Sequence, residues 1–496
     1  MMLTWELSLI LLAVLLILWF LKQLWSRRHF PPGPLPLPII GSIWRTGTGL
    51  GEDILIKLAK QYGNIYTIWI GHYPIVILSG YQAVKEGLIK YSEEFSGRPV
   101  TNFFKQTLKR KGLVLSNGHT WKQQRKFGVV TMRKLGLGKK GMEQQIKEEA
   151  HWLVDTFARA KGQPLDPLLP IMNAVSRVIC VLSFGYRLSL EDEKFREIIE
   201  AVEFILKYCT TVVHFLGELF PWLIMRLPGP QHKALSFTQL VLSFAKTEVA
   251  KHKECQTLHE PQDFIDFYLL QIEKSNGDPT STYNEENLSE CIFDLFVAGT
   301  ETTAITLQWA LLLMVANPDI QDKVYKEMED VLGPSHSICY EDRKRLPYTN
   351  AVIHEVLRVK YALPIGIPRR CVKDVNMHGF IIPKGTFVIP DLRSVLLDPK
   401  QWRKPREFNP QNFLDQDGNF MPREDFLPFG AGHRVCLGEQ MAKMELFFFF
   451  TKLLRTFRLQ LPEGVTEKEI NKEPVMGLAF HPHPFKLCAI PHYDSS

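Results

Sequence analysis

The sequence predicts a mainly α fold with small β-sheets, preceded by a single N-terminal transmembrane helix. Three observations carry this expectation. The run from Leu7 to Leu21 is apolar throughout except for Ser8. The stretch Asn287 to Asn317 contains no proline, with Pro318 just past its end, so a helix there would span about 46 Å. Only two stretches read as strands, and helical periodicity dominates elsewhere.

Taken in order, the N-terminal run extended back to Leu3 gives a helix of roughly 28 Å, close to the ~30 Å hydrocarbon core of a bilayer. Trp5, Trp19 and Trp25 suit the two interfaces, and Lys22, Arg27 and Arg28 follow the run. The positive-inside rule then places the N-terminus in the lumen and the rest in the cytosol. A cleaved signal peptide would need positive charge ahead of the run and small residues after it, and neither is present. Residues 1–28 are therefore expected to be a retained anchor. "PPGPLPLPIIG" follows, with five prolines among the eight residues Pro31 to Pro38. Proline cannot continue a helix and favours a stiff, extended segment, so 29–41 is expected to be a hinge.

"NIYTIWIGHYPIVIL" (Asn64 to Leu78) reads as two strands around a Gly-His-Tyr-Pro turn, and "GFIIPKGTFVIP" (Gly379 to Pro390) as a second hairpin. No polar linker divides Tyr62 from Pro491, which predicts one large cytosolic domain over 42–496. "HFLGELFPWLIMRLPGP" (His214 to Pro230) breaks on Pro221 and Pro228. It reads either as a buried connection or as a second membrane-contacting surface.

Composition excludes several classes. At 45% hydrophobic and 23% charged the chain is globular rather than disordered. Its eight cysteines include no C-x-x-C pair, against zinc knuckles, four-cysteine iron–sulfur runs and a disulfide framework. Between Phe95 and Met142 lie twelve Lys and Arg and no acid. That run reads as a solvated face or as a dock for an acidic partner or buried acidic groups. A nucleic-acid platform is not evident. "GLGKKG" (Gly136 to Gly141) matches a dinucleotide fingerprint without the strand–helix setting it needs. "HPHP" lacks a third metal ligand and reads as a loop, and the Asn287-Leu288-Ser289 sequon would face the cytosol and reads as chance.

Four motifs carry chemistry. Trp121-x-x-x-Arg125 places an indole N–H and a guanidinium on one helical face, good donors to a carboxylate or phosphate. "AGTETT" (Ala298 to Thr303) sets Glu301 and Thr302 beside a glycine within the long apolar helix. Glu355 and Arg358 share a helical face. "PFGAGHRVCLG" (Pro428 to Gly438) frames Cys436 with three glycines and Arg434, presenting a thiol to something large and flat. In this order the four resemble a cytochrome P450, over essentially the whole chain. The anchor and hinge are similar to those of its microsomal members. "GRPVT", "DLFVAGTETT", "LPYTNAVIHEV" and "CLGEQMAKMELFFFF" resemble family 2, particularly its fatty-acid-epoxidising subfamily.

The resemblance implies haem b with Cys436 as axial thiolate and iron ligand. It implies haem-propionate contacts from Trp121, Arg125, Arg369 and Arg434, proton delivery by Glu301 and Thr302, and a structural Glu355–Arg358 pair. It implies a monooxygenase on the cytosolic face of the endoplasmic reticulum membrane that epoxidises or hydroxylates lipophilic substrates, polyunsaturated fatty acids such as arachidonic acid among them. NADPH would act indirectly, through NADPH–cytochrome P450 reductase, with cytochrome b5 as a further partner and no nucleic acid. The alternatives are a broad xenobiotic or steroid monooxygenase, a peroxide isomerase, and a non-catalytic haem sensor. Two positions depart from the family pattern: His433 stands where a cation is usual, and Asn412 where Arg or His is usual.

Overall fold

The computed structural model describes residues 10–492, apart from 12, 16, 19, 23, 24, 26, 39, 47–51, 137–139, 190, 256–259, 334 and 476. Trp5, Trp19 and the centre of "GLGKKG" lie outside the described residues. Two compact units divide the chain. One joins Met1–Pro99, Ile365–Asp398 and Gly430–Val435, and the other Val100–Pro364, Pro399–Phe429 and Cys436–Ser496. Neither unit is a continuous stretch, which is why no linker marks the divide in the sequence.

The first unit is built on a four-stranded sheet. β1 (Ile65–Ile70) and β2 (Tyr73–Leu78) form the expected hairpin, turning at Gly71-His72 rather than over four residues, so Tyr73 and Pro74 belong to β2. The remaining strands in chain order are β3 (Arg369–Arg370), β4 (Val375–Met377), β5 (Phe380–Ile382) and β6 (Phe387–Pro390). The sheet runs β1-β2-β6-β3, with β6 parallel to β2. The second expected hairpin is thus corrected. β5 pairs instead with β4 ahead of it, and β6 crosses to the main sheet. The reason is the turn between β4 and β5. His378 and Gly379 both have positive φ, 53° and 83°, the pair of conformations a tight two-residue hairpin demands. Helix α1 (Glu52–Tyr62) covers the sheet through Leu55 and Leu58, which bury against Tyr66, Ile68, Ile75 and Ile77. The proline-rich segment lies along β1, where Thr67 N–H donates to the Pro32 carbonyl at 2.8 Å. Gly33 permits this approach, since a Cβ there would sit 1.8 Å from the Thr67 oxygen.

The second unit is helical, with one hairpin of β7 (Phe457–Gln460) and β8 (Cys488–Pro491). Its main helices are α2 (Gly118–Lys134), α3 (Lys140–Arg159), α4 (Leu168–Phe184), α5 (Glu193–Tyr208), α6 (Pro230–Cys255), α7 (Glu285–Val315), α8 (Pro347–Val359) and α9 (Glu439–Thr456). α7 is the expected long helix, at 31 residues. Asn284 caps it by accepting from the Asn287 N–H, and Pro318 opens the next helix instead of continuing this one. α4, α6 and α9 surround it, and nearly all its side chains are buried. That is what an all-round apolar helix requires.

Among the described residues no helix is long and apolar enough to cross a membrane. Those between 10 and 25 are helical, and Ile10, Leu11, Leu15, Ile17, Leu18 and Trp25 are exposed. The His214–Pro230 stretch breaks where its prolines predict, and Trp222, Leu223 and Leu227 are exposed on it.

Candidate active site

The helix α7 is buried from Asn287 to Phe296 and again from Thr303 to Val315. Between these runs Val297, Ala298, Gly299 and Thr302 are partly or fully open, while Thr300 and Glu301 are buried. Ala298 and Thr302 stand four apart and share a face. Between its two buried runs α7 thus presents a window, a partly open patch of small groups and one hydroxyl. The Thr302 hydroxyl donates to the Ala298 carbonyl at 2.7 Å, and Thr306 repeats the bond one turn on, to the Thr302 carbonyl at 2.8 Å. Beside this patch Gly299 takes the Ile179 side chain of α4. A Cβ there would lie 2.4 Å from Ile179 Cδ1.

Cys436 stands two residues before α9. Its N–H donates to the Phe429 carbonyl at 3.0 Å, closing the loop that carries it. The side chain is exposed by surface area, yet burial is the largest influence on its thiol and pushes the pKa up. Both hold for a sulfur that faces an opening walled by protein. The backbone N–H groups of Gly438 and Glu439, at the start of α9, and the Arg125 guanidinium favour the thiolate, while the Glu439 carboxylate opposes it. α2 supplies Arg125 and seats close to the thiol loop, because Gly128 leaves room for Leu437. Trp121, one turn earlier on α2, is buried.

Glu355 and Arg358 are 0% exposed. They form a two-pronged pair at 2.7 and 2.7 Å. Arg358 also donates to the Pro405 and Glu407 carbonyls. Asn412, the departure from the usual cation, donates to Glu355 Oε1 at 3.1 Å, beside the Asn409 N–H at 2.8 Å. The neutral amide thus fills the third position of the network. His433, the other departure, is exposed.

Three of the first unit's buried arginines donate to backbone carbonyls or lie beside one another. Arg434 donates to the Ser96 carbonyl at 2.8 Å, and Arg369 to the Arg434 carbonyl at 3.4 Å. Arg98 donates to the Ile367 and Pro368 carbonyls at 2.7 and 2.8 Å. Sequence reasoning missed Arg98, counting it with the basic run, although it sits in the quoted "GRPVT". Gly432 has φ 71°, and a Cβ on it would lie 1.7 Å from the Leu88 carbonyl oxygen. Only glycine fits there.

The cytochrome P450 family model matches residues 31–489. The chain belongs to the cytochrome P450 family. Cytochrome P450 2J5 of Mus musculus is 39% identical over 98% of this chain and 97% of its own length. Cytochrome P450 2J2 of Homo sapiens is 38% identical over 97% and 94%, and cytochrome P450 2C29 of Mus musculus 40% identical over 96% and 97%. This P450 is a monooxygenase, and its cofactor is haem with a cysteine thiolate ligand. The residues present fit that cofactor. The Cys436 thiol has the Gly438 and Glu439 N–H groups and the Arg125 guanidinium beside it, which favour a thiolate ligand.

Within this P450 the twelve-residue basic run separates. Arg98 is buried, and Lys111 is drawn into an ion pair with Glu286. Lys122, Lys126 and Arg133 stay exposed along one stripe of α2. A second missed residue, His481 of the "HPHP" loop, lies 3.1 Å from Glu301.

Proposed function

We propose that this P450 is anchored by residues 1–28 in the endoplasmic reticulum membrane, with residues 29–41 as hinge. There it epoxidises and hydroxylates polyunsaturated fatty acids such as arachidonic acid on the cytosolic face. Electrons come from NADPH by way of NADPH–cytochrome P450 reductase, with cytochrome b5 as a second donor. Haem, when bound, supplies the redox chemistry that activates dioxygen. Cys436 holds it through the thiolate. Trp121, Arg125, Arg369 and Arg434 are the propionate donors that the family resemblance implies. Glu301 and Thr302 move protons at the α7 window. Glu355 and Arg358 brace the chain and touch no reactant.

The single observation that carries the reading is the window itself. A hydroxyl and a buried acid stand beside small apolar groups, between two stretches of the helix that are buried throughout. An isomerase that rearranges a peroxide has no need of that acid–hydroxyl pair. An apolar channel suffices for a lipid chain, since burial contributes about 0.8 kcal/mol per CH₂. The exposed Trp222, Leu223 and Leu227, together with the exposed apolar side chains between residues 10 and 25, support a membrane-side supply of substrate. Of the cations that could meet a fatty-acid carboxylate, Arg110 and Arg226 remain exposed, whereas Lys111 is engaged by Glu286.

The test is reconstitution with reductase. Epoxides of arachidonate should form only with NADPH and reductase present, and Cys436→Ser should lose both product and the red-shifted CO band of reduced thiolate haem. Turnover of small aromatic drugs with no fatty-acid product would overturn the substrate reading and leave a general xenobiotic monooxygenase.

A further inference from the structure

Glu301 is a carboxyl sealed into the bundle, with its side chain 6% exposed. A buried acid that gives up protons repeatedly needs a route by which they return. Little of it meets water, and its neighbours along α7 are apolar or hydroxylic. Among the described residues one titratable side chain is paired with it. His481 Nε2 lies 3.1 Å from Glu301 Oε1, and the imidazole keeps 28% of its surface open.

We propose that His481 is the outer station of a proton relay into Glu301. This inference rests on the monooxygenase reading of the α7 window. The imidazole touches the acid on one side and solvent on the other, so it can exchange protons with both. Water protonates the imidazole at its exposed edge. The imidazolium passes its Nε2 proton to the Glu301 carboxylate, which leaves the ring neutral with its proton on Nδ1; tautomer exchange through solvent, or rotation of the ring, resets it for the next transfer. No bond between heavy atoms changes, and one proton enters from solvent for each one passed to Glu301.

The backbone holds His481 in place for this. Trp309 of α7, two turns beyond Glu301, donates its indole N–H to the Phe480 carbonyl at 2.7 Å. Phe480 N–H donates to the Ala362 carbonyl at 3.1 Å, and Val475 N–H to the His481 carbonyl at 2.8 Å. Lys360 lies over the Trp309 ring at 4.4 Å and reaches the Lys472 carbonyl. The loop that carries His481 is thus tied to the helix that carries Glu301, at a point two turns away. A histidine there by accident of a surface loop would have no such fixing. His481 is a positioning and relay residue, since it acts through Glu301 and does not itself reach the window.

The competing role is static: the imidazole only neutralises a buried carboxylate. Glutamine separates the two, because its amide can hydrogen-bond Glu301 but cannot exchange protons. The test uses the full chain as reductase-coupled holoenzyme, comparing wild type with His481→Gln, His481→Ala and Glu301→Gln. Haem content, the CO spectrum and the unfolding midpoint of His481→Gln should match wild type. Its share of NADPH electrons lost to hydrogen peroxide should rise several-fold, with a larger solvent deuterium effect on product formation. The midpoints of a Glu301→Gln/His481→Gln cycle should be non-additive, which reports the contact without any turnover. Wild-type peroxide leakage and isotope effect in His481→Gln would overturn the relay alone, as would an additive cycle. Absence of any NADPH-dependent oxygenated product from the wild type would instead overturn the monooxygenase reading, and the relay with it.

Discussion

Arg358 and Glu355 are fully buried in the second unit, and a buried pair of this kind tolerates loss of both charges better than loss of one. Arg358→Ala should therefore cost about 3–5 kcal/mol and yield little haem-loaded protein. Glu355→Gln combined with Arg358→Met should recover part of the loss. Denaturation midpoints and haem content check both. A second buried acid titrates differently. Glu445 of α9 is fully buried, neither oxygen has a hydrogen-bond partner by strict geometry, and only the Thr303 hydroxyl is near enough to favour its ionised form. Burial raises its pKa from the ordinary 4.5 to about 8. The folded state thus holds a proton that the unfolded state releases above about pH 4.5. Stability should fall as pH rises from there to about 8 and then level off. Glu445→Gln should flatten that slope, as seen in midpoints measured across the range. The sequence shows why some of these residues were legible and others not. Cys436, Thr302, Glu355 and Arg358 lie in local motifs whose spacing states their geometry. Arg98 and His481 meet their neighbours about 270 and 180 positions away, and no local pattern marks such a meeting.

At the scale of elements, α7 was the most legible feature, because a long proline-free run stopped by Pro318 reads as one helix; its start was placed two residues late, since the Asn284 cap was not read. The hairpin expected over Gly379–Pro390 was misread because β6 answers to β2, more than three hundred positions earlier, and only the turn at His378-Gly379 hints at the true partner of β5. α7 also makes a prediction about packing. Gly299→Ala gains about 1 kcal/mol of helix propensity, but its new methyl meets Ile179, a stiff and fully buried side chain. Overpacking costs typically about 1–3 kcal/mol, so the variant should be less stable than wild type. Ile179→Val removes the obstructing Cδ1, and the double variant should regain stability beyond the sum of the single changes. A double-mutant cycle of unfolding midpoints reads this directly.

Across the whole molecule the charge is uneven, with a net formal charge of +6 and an exposed stripe of Lys122, Lys126 and Arg133 on the helix that also carries Arg125. If electrons arrive at this face, Lys122→Glu with Lys126→Glu should weaken reductase-driven turnover and spare peroxide-driven turnover. The wild-type reductase affinity should fall with salt, as exposed charges are screened over about 8–10 Å. Equal loss in both assays would point to misfolding. The first unit's interrupted make-up also has a consequence for synthesis. On the ribosome the β1–β2 hairpin emerges early, but β6, which completes its sheet, follows about three hundred residues later. At about 5–20 residues per second that is a wait of roughly 15–60 s. Throughout it β2 has an unpaired edge, the kind of surface that invites pairing with another chain. Holding the nascent N-terminus at a membrane would keep that edge away from other copies until its own partner arrives.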